Sequence, residues 1–211
     1  MKRYLFDFDG TLVNSMPTFV SVMLRILDEN GIKYGDDIVK IITPLGYNDT
    51  AKYFITLGVP FTKEEIIEKM HSYALPDYRD KIQAKDNVIK TLYALKERGD
   101  DLNILTASPH EMLDPCLIRL GIYDLFTNVW SCADFGMNKS NPDIYVEAAK
   151  RIGAEVGDVI FLDDNYNADK TAKTAGMKVF GVYDESSEEY KDEIISITDG
   201  YVTDFLQLLD M

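Results

Sequence analysis

Hydrophobic and polar positions along this chain follow two rhythms. A short run of apolar residues, Tyr4-Leu5-Phe6, continued by Phe8 between two aspartates, has the character of a buried strand. Ser15 and Pro17 then open a helical pattern that carries Phe19, Val22, Met23, Ile26 and Leu27 on one face and stops at Asn30-Gly31. From there to Asp80 the periodicity stays helical, with breaks at Gly35, at Pro44-Leu45-Gly46 and at Gly58-Val59-Pro60. Within it, Thr62 and Glu65 have the spacing of a capping box. After Asp80 the pattern alternates. Asp86 is placed to cap a helix with Val88, Leu92 and Leu95, and the strand Leu102 to Thr106 follows. A helix through Leu113 to Leu120 leads to a strand near Thr127 to Trp130. Asn141-Pro142 opens a helix to Ile152, the strand Val159 to Leu162 comes next, then a helix to Ala175-Gly176 and the strand Lys178 to Val182. The tail reads as a helix over 187–197, a short strand at Gly200 to Val202 and a last helix from Asp204 to Leu209.

Strands that alternate with helices and are apolar nearly throughout predict an α/β fold, a doubly wound, Rossmann-like parallel sheet covered on both faces. The helical block after the first strand is too long for a crossover and reads as an inserted domain. The expected division is therefore 1–14 with 82–211 for the α/β core and 15–81 for the helical insertion.

At 211 residues the chain has enough material for one good core and a smaller module. Its formal net charge of −14, from 36 acidic and 22 basic residues without a basic stripe, argues against nucleic acid as a partner. No apolar run approaches a membrane span, and Asp7 and Asp9 interrupt the N-terminal stretch too early for a signal peptide. Cys116 and Cys132 follow no metal spacing and read as packing residues in a reducing compartment. The expectation is a cytoplasmic protein, a monomer or weak homodimer.

Ligands of open α/β sheets bind beyond the carboxyl ends of the strands, so the polar residues there are the candidates. The first strand delivers Asp7 and Asp9, two residues apart and hence on one side of an extended chain. Close carboxylates repel unless a cation lies between them or one is protonated. A hairpin turning at Asp9-Gly10 is the alternative reading of the same residues. The second strand ends in Thr106-Ala107-Ser108 and the fourth in Asp163-Asp164-Asn165, while Lys139 precedes Asn141. Each of these alone reads as an ordinary turn, cap or surface residue. Jointly they suit phosphoryl transfer. Asp7 can attack phosphorus, and Asp9 can protonate the leaving oxygen and then deprotonate water. Thr106 and backbone N–H groups near Ala107 can hold phosphoryl oxygens, and Lys139 supplies a compact positive charge. Asp7, Asp9, Asp164 and Asp163 form an all-oxygen set suited to Mg²⁺.

In these motifs the chain resembles the haloacid dehalogenase-like superfamily, in the branch with a helical cap inserted after the first strand. Asp7-Phe8-Asp9-Gly10-Thr11-Leu12-Val13 matches the first motif, Thr106 the second, Lys139 the third and Asp163-Asp164 the fourth. Their order sets aside the hairpin, and also a receiver domain, in which the acidic pair comes first and the lysine last. Ala107 departs from the asparagine of many family phosphatases, Ser140-Asn141-Pro142 from a Pro-x-Pro run, and Asp169 from a usually apolar position. The resemblance implies a Mg²⁺-dependent phosphatase that forms an aspartyl phosphate on Asp7 and acts on a small phosphorylated metabolite. The alternatives are a phosphomutase of the β-phosphoglucomutase kind and a catalytically silent binding protein. The stretch from Pro44 to Thr50 lacks the arginine that mutase caps carry, and Tyr47 and Asn48, read as part of a glycine-broken loop, are its candidates for substrate contact.

Overall fold

The computed structural model describes residues 1–211, the side chain of Pro44 apart. The chain divides into two compact units, one of residues 1–14 and 82–211, the other of residues 15–81.

The first unit is built on a six-stranded sheet of β1 (Arg3–Phe6), β2 (Asp101–Thr106), β3 (Asn128–Ser131), β4 (Val159–Asp163), β5 (Lys178–Val182) and β6 (Gly200–Val202), in the order β3-β2-β1-β4-β5-β6. Every pairing is parallel, and β1 lies between β2 and β4, with Phe6 opposite Ile104 and Leu162. Parallel neighbours on both sides of β1 exclude the hairpin. The order reverses around β1, so the carboxyl ends of β1, β2 and β4 flank a topological switch point.

Alternation within β1 explains why it is apolar throughout. Leu5 faces a core cluster with Leu105, Phe161, Val179, Ile144, Tyr145 and Ala172. Tyr4 and Phe6 face the other way, where Phe6 packs against Phe126 and Phe205 with ring centroids 6.4 and 6.3 Å apart. The crossovers leading to β2, β3, β4, β5 and β6 pass through helices. These are α5 (Val88–Glu97), α6 (His110–Arg119), α7 (Asp143–Ile152), α8 (Tyr166–Ala175) and α9 (Lys191–Ile197), in the same order.

The second unit holds α1 (Met16–Glu29), α2 (Ile38–Ile42), α3 (Gly46–Thr56) and α4 (Lys63–Asp80). It has its own apolar core of Met23, Ile26, Leu27, Ile42, Phe54, Ile66 and Met70, among others. The Thr62–Glu65 capping box forms as its spacing predicts.

Several local expectations are corrected. Tyr47 and Asn48 stand in the first turn of α3, not in a loop; the break expected there includes Pro44, whose side chain lies outside the described residues. Asn87 rather than Asp86 precedes α5. It has a left-handed backbone (φ 62°), which asparagine tolerates better than most residues, and its side-chain amide donates to Asp204 at 3.0 and 3.1 Å. Asn141 accepts from the backbone N–H of Asp143 two residues ahead at 3.0 Å, and Pro142 rather than Asn141 immediately precedes α7. The tail segment opens with a 3₁₀ stretch, Glu185–Tyr190, before α9.

Candidate active site

The site begins where β1 ends. The strand stops at Phe6, but the backbone N–H of Asp7 still donates to the Leu162 carbonyl at 2.8 Å, which holds Asp7 beside the carboxyl end of β4. Gly10 then turns the chain with φ 75°. A β-carbon at that position would lie 2.6 Å from a carboxylate oxygen of Asp164, so only glycine lets the loop and Asp164 meet. Thr11 completes the contact, its hydroxyl donating to Asp164 Oδ1 at 3.0 Å. The turn also separates the first two aspartates: Asp7 reaches Lys139, whereas the Asp9 carboxylate accepts from the hydroxyl of Ser108.

Asp7, Asp163 and Asp164 are all buried, and each offers a carboxylate oxygen within 4.8 Å of the other two. Lys139 Nζ donates to Asp7 Oδ1 and to Asp163 Oδ2, the latter at 2.7 Å. Two contacts place this lysine: its carbonyl accepts from the Tyr145 hydroxyl at 3.1 Å, and its ammonium lies 5.5 Å from the centre of the Phe161 ring. At the end of β4, the Asn165 N–H donates to Asp163 Oδ1 at 2.8 Å, and the Asn165 side chain caps α8. Burial of one lysine among several carboxylates sets the electrostatics. Burial drives the Asp7 carboxyl up to about 8 against the pull of Lys139, with Asp163 and Asp9 adding to the rise. Burial and the neighbouring Asp163 and Asp7 likewise hold Asp164 well above the carboxylate range. Burial works against the charge of Lys139, but Asp163 and Asp7 outweigh it and raise its pKa.

Of the other residues singled out in the sequence, Thr106 is buried at the end of β2, where its hydroxyl accepts from the Ser108 N–H at 3.0 Å. Ala107 is exposed between them. The carboxylate of Asp9 lies outside the cluster of Asp7, Asp163 and Asp164. Asp169, on α8, is fully buried, and neither carboxylate oxygen has a hydrogen-bond partner among the described residues. Burial, then Asp163 and Asp164, raise its pKa. Sequence reasoning gave no role to Ser108, Thr11 or Lys85. The first two lie inside motifs that drew attention to other residues, and a lone lysine on a connecting segment has no signature. Outside the site, His110 pairs with Asp114 and Asp134 at 3.0 and 2.9 Å, and Cys116 and Cys132 are buried free thiols.

Buried aspartates at the carboxyl ends of β1 and β4 and a lysine from the segment before α7 thus meet at one edge of a parallel α/β sheet. Residues 4–182 match the family described as haloacid dehalogenase-like hydrolase, and the chain belongs to that family. It is 28% identical over 190 residues to a phosphoglycolate phosphatase of Haemophilus influenzae, covering 84% of this chain and 83% of that one. Its fold is similar to the crystal structure of a predicted phosphoglycolate phosphatase from Haemophilus somnus, with TM-score 0.81, 22% identity and coverage of 100% and 97% of the two chains. A putative β-phosphoglucomutase from Thermotoga maritima shares it too, with TM-score 0.76, 20% identity and coverage of 100% and 99%.

Proposed function

We propose that the protein is a Mg²⁺-dependent phosphatase that hydrolyses a small phosphorylated metabolite through an aspartyl phosphate on Asp7. The observation that carries this reading is the placement of Asp7, Asp163 and Asp164 around one another with Lys139 bonded to two of them, at adjacent strand ends. The phosphatase name of the Haemophilus influenzae relative supports the same substrate class.

The donor set fits a hard cation. It consists of buried carboxylates alone, and the three aspartates outnumber the one lysine that pairs with two of them. Asp7, Asp163 and Asp164 would hold Mg²⁺, with the backbone carbonyl of Asp9 as a further donor. When bound, the ion offsets the repulsion between these carboxylates and a phosphoryl dianion.

The chain's own residues carry the steps. A carboxylate oxygen of Asp7, oriented by Lys139, attacks phosphorus as the bond to the alcohol oxygen breaks. Asp9, held by the Ser108 hydroxyl, gives its proton to that oxygen. Asp9 then takes a proton from water, the water oxygen attacks phosphorus, and Asp7 is released with inorganic phosphate. The Thr106 hydroxyl accepts from the Ser108 N–H, which leaves its own hydrogen for a phosphoryl oxygen, with the backbone N–H of Ala107 next along the chain.

The test is a panel of phosphoglycolate, hexose 1- and 6-phosphates and nucleoside monophosphates, with phosphate release and product identity measured together. At least one ester should release phosphate with Mg²⁺ and stop with EDTA. Rapid quench should trap one acid-labile phosphoryl group, and Asp7→Asn should cut turnover by at least about a thousandfold. Isomerisation of a hexose phosphate with little phosphate released would mean a mutase. Full activity of Asp7→Asn would end the covalent mechanism.

A further inference from the structure

Lys85 lies outside the four motifs, on the segment by which the chain re-enters the α/β unit. The side chain is 19% exposed and donates to three acceptors at once: the Gly10 carbonyl at 2.6 Å, Asp184 Oδ2 at 3.0 Å and the Tyr183 carbonyl. All three donor hydrogens of the ammonium are thereby used. The backbone of the same residue donates to the Leu12 carbonyl at 3.0 Å, and Asn14 N–H donates to Gln83 at 2.9 Å, so the two segments run paired. Lys85 thus clamps the Gly10–Leu12 turn from two sides and fastens it to the end of β5.

That turn is the piece of backbone on which the site depends. Gly10 separates Asp9 from Thr11, it packs against the Asp164 carboxylate so closely that no β-carbon fits, and Thr11 bonds Asp164 directly. Asp184 is 6% exposed and accepts from the Ser186 N–H and hydroxyl at 2.9 and 2.6 Å, so its carboxylate is held from both sides as it meets the ammonium. Lys139 serves Asp7 and Asp163; no second lysine of that motif serves Asp164.

We propose that Lys85 is a positioning residue of the active site, which sets the place of Asp9 and Asp164 by holding the Gly10 carbonyl and joining it to Asp184. This rests on the reading of those aspartates given above. Loss of the clamp lets the turn shift, and outer partners of this kind govern metal affinity and turnover through the groups they hold. Lys85 also lines a cleft of about 590 Å³ with Asn14, Gln83, Tyr183 and Glu185. Small amines therefore have a route to the space that a truncated side chain would leave.

The experiment compares Lys85→Met, Lys85→Arg, Lys85→Ala and the double variant Lys85→Met/Asp184→Asn with wild type. Two quantities are read: the Mg²⁺ midpoint for thermal stabilisation, and kcat and KM on the best ester of the panel. The double variant keeps the fold testable, since it removes the pair without leaving a buried carboxylate unpaired. Lys85→Met and the double variant should raise the Mg²⁺ midpoint and lower kcat by about 10- to 100-fold each, with KM little changed. Lys85→Arg should recover most of the loss. Methylammonium should restore Lys85→Ala by about tenfold, while tetramethylammonium, equally charged but without N–H donors, should not. A folded double variant with wild-type Mg²⁺ midpoint and kcat would overturn the proposal, as would equal rescue by both amines. If wild type turns over no ester, the phosphatase reading fails, and the Mg²⁺ midpoints alone still decide on Lys85.

Discussion

A methyl group on Gly10 would meet the Asp164 carboxylate at 2.6 to 2.8 Å, and it would do so at φ 75°, where L-residues are strained. The two penalties separate by comparison with Gly31, which has φ 64° and open space where a β-carbon would go. Gly31→Ala should cost about 1 kcal/mol of stability, the conformational term alone, and leave Mg²⁺ binding untouched. Gly10→Ala should cost about 1–3 kcal/mol and also weaken Mg²⁺ binding, because Asp164 must move. Urea midpoints and Mg²⁺ titrations on both variants provide the check. Equal effects on metal binding would mean that the close approach at Gly10 does not matter. The same scale explains the different fates of the first two aspartates. An extended chain would aim both one way; the turn at Gly10 sends Asp7 to Lys139 and Asp9 to Ser108.

Elements differ in how plainly the sequence announces them. Strands β1 and β4 were readable because a parallel strand buried on both faces is apolar at nearly every position, and β4 is buried along its whole length. The capping box at Thr62 was readable because its two bonds lie within three residues. Thr62→Ala should cost the helical unit about 1 kcal/mol and speed amide exchange at the start of α4. Exchange in β1 and β4 should stay as it was, and a matching rise there would show that the two units do not open separately. What was not readable depends on distant residues. Asp86 had the better capping side chain, yet the chain needs a left-handed residue before α5, and Asn87 meets that need while bonding Asp204, 117 residues on. Tyr47 follows a glycine, which signals a loop. Its ring instead lies between Phe19 and His71, 4.9 and 5.1 Å away, and α3 starts under it. In the site, the aspartates and Lys139 were found because strand ends can be located from apolar runs, whereas Ser108, Thr11 and Lys85 matter through contacts that span up to 153 residues.

On the scale of the whole molecule, an acidic chain of net charge −14 concentrates buried carboxylates at one end of its sheet. Stability should therefore respond to pH with an unusual sign. The Asp7 carboxyl lies at about 8 in the metal-free fold, and burial likewise lifts Asp164 and Asp169. In the unfolded chain the same groups titrate near the ordinary carboxylate value of about 4. Between about pH 4 and 8 the folded state then binds protons that the unfolded state has lost, so stability falls as pH rises through that window. One such group gives a slope of about 1 kcal/mol per pH unit, and others add in the same direction. Lys139, raised above its ordinary range, stays charged throughout and does not oppose the trend. A divalent cation bound there would take the place of the protons, so the stabilisation by Mg²⁺ should grow from pH 5 to 8, with about one proton released per ion bound. Thermal or urea midpoints at pH 5, 6, 7 and 8, in EDTA and in excess Mg²⁺, should diverge steadily, the EDTA series falling. A metal-free protein whose stability is flat or rising over this range would show that the buried carboxylates ionise on their own, and the argument for a cation at their centre would lose its electrostatic basis.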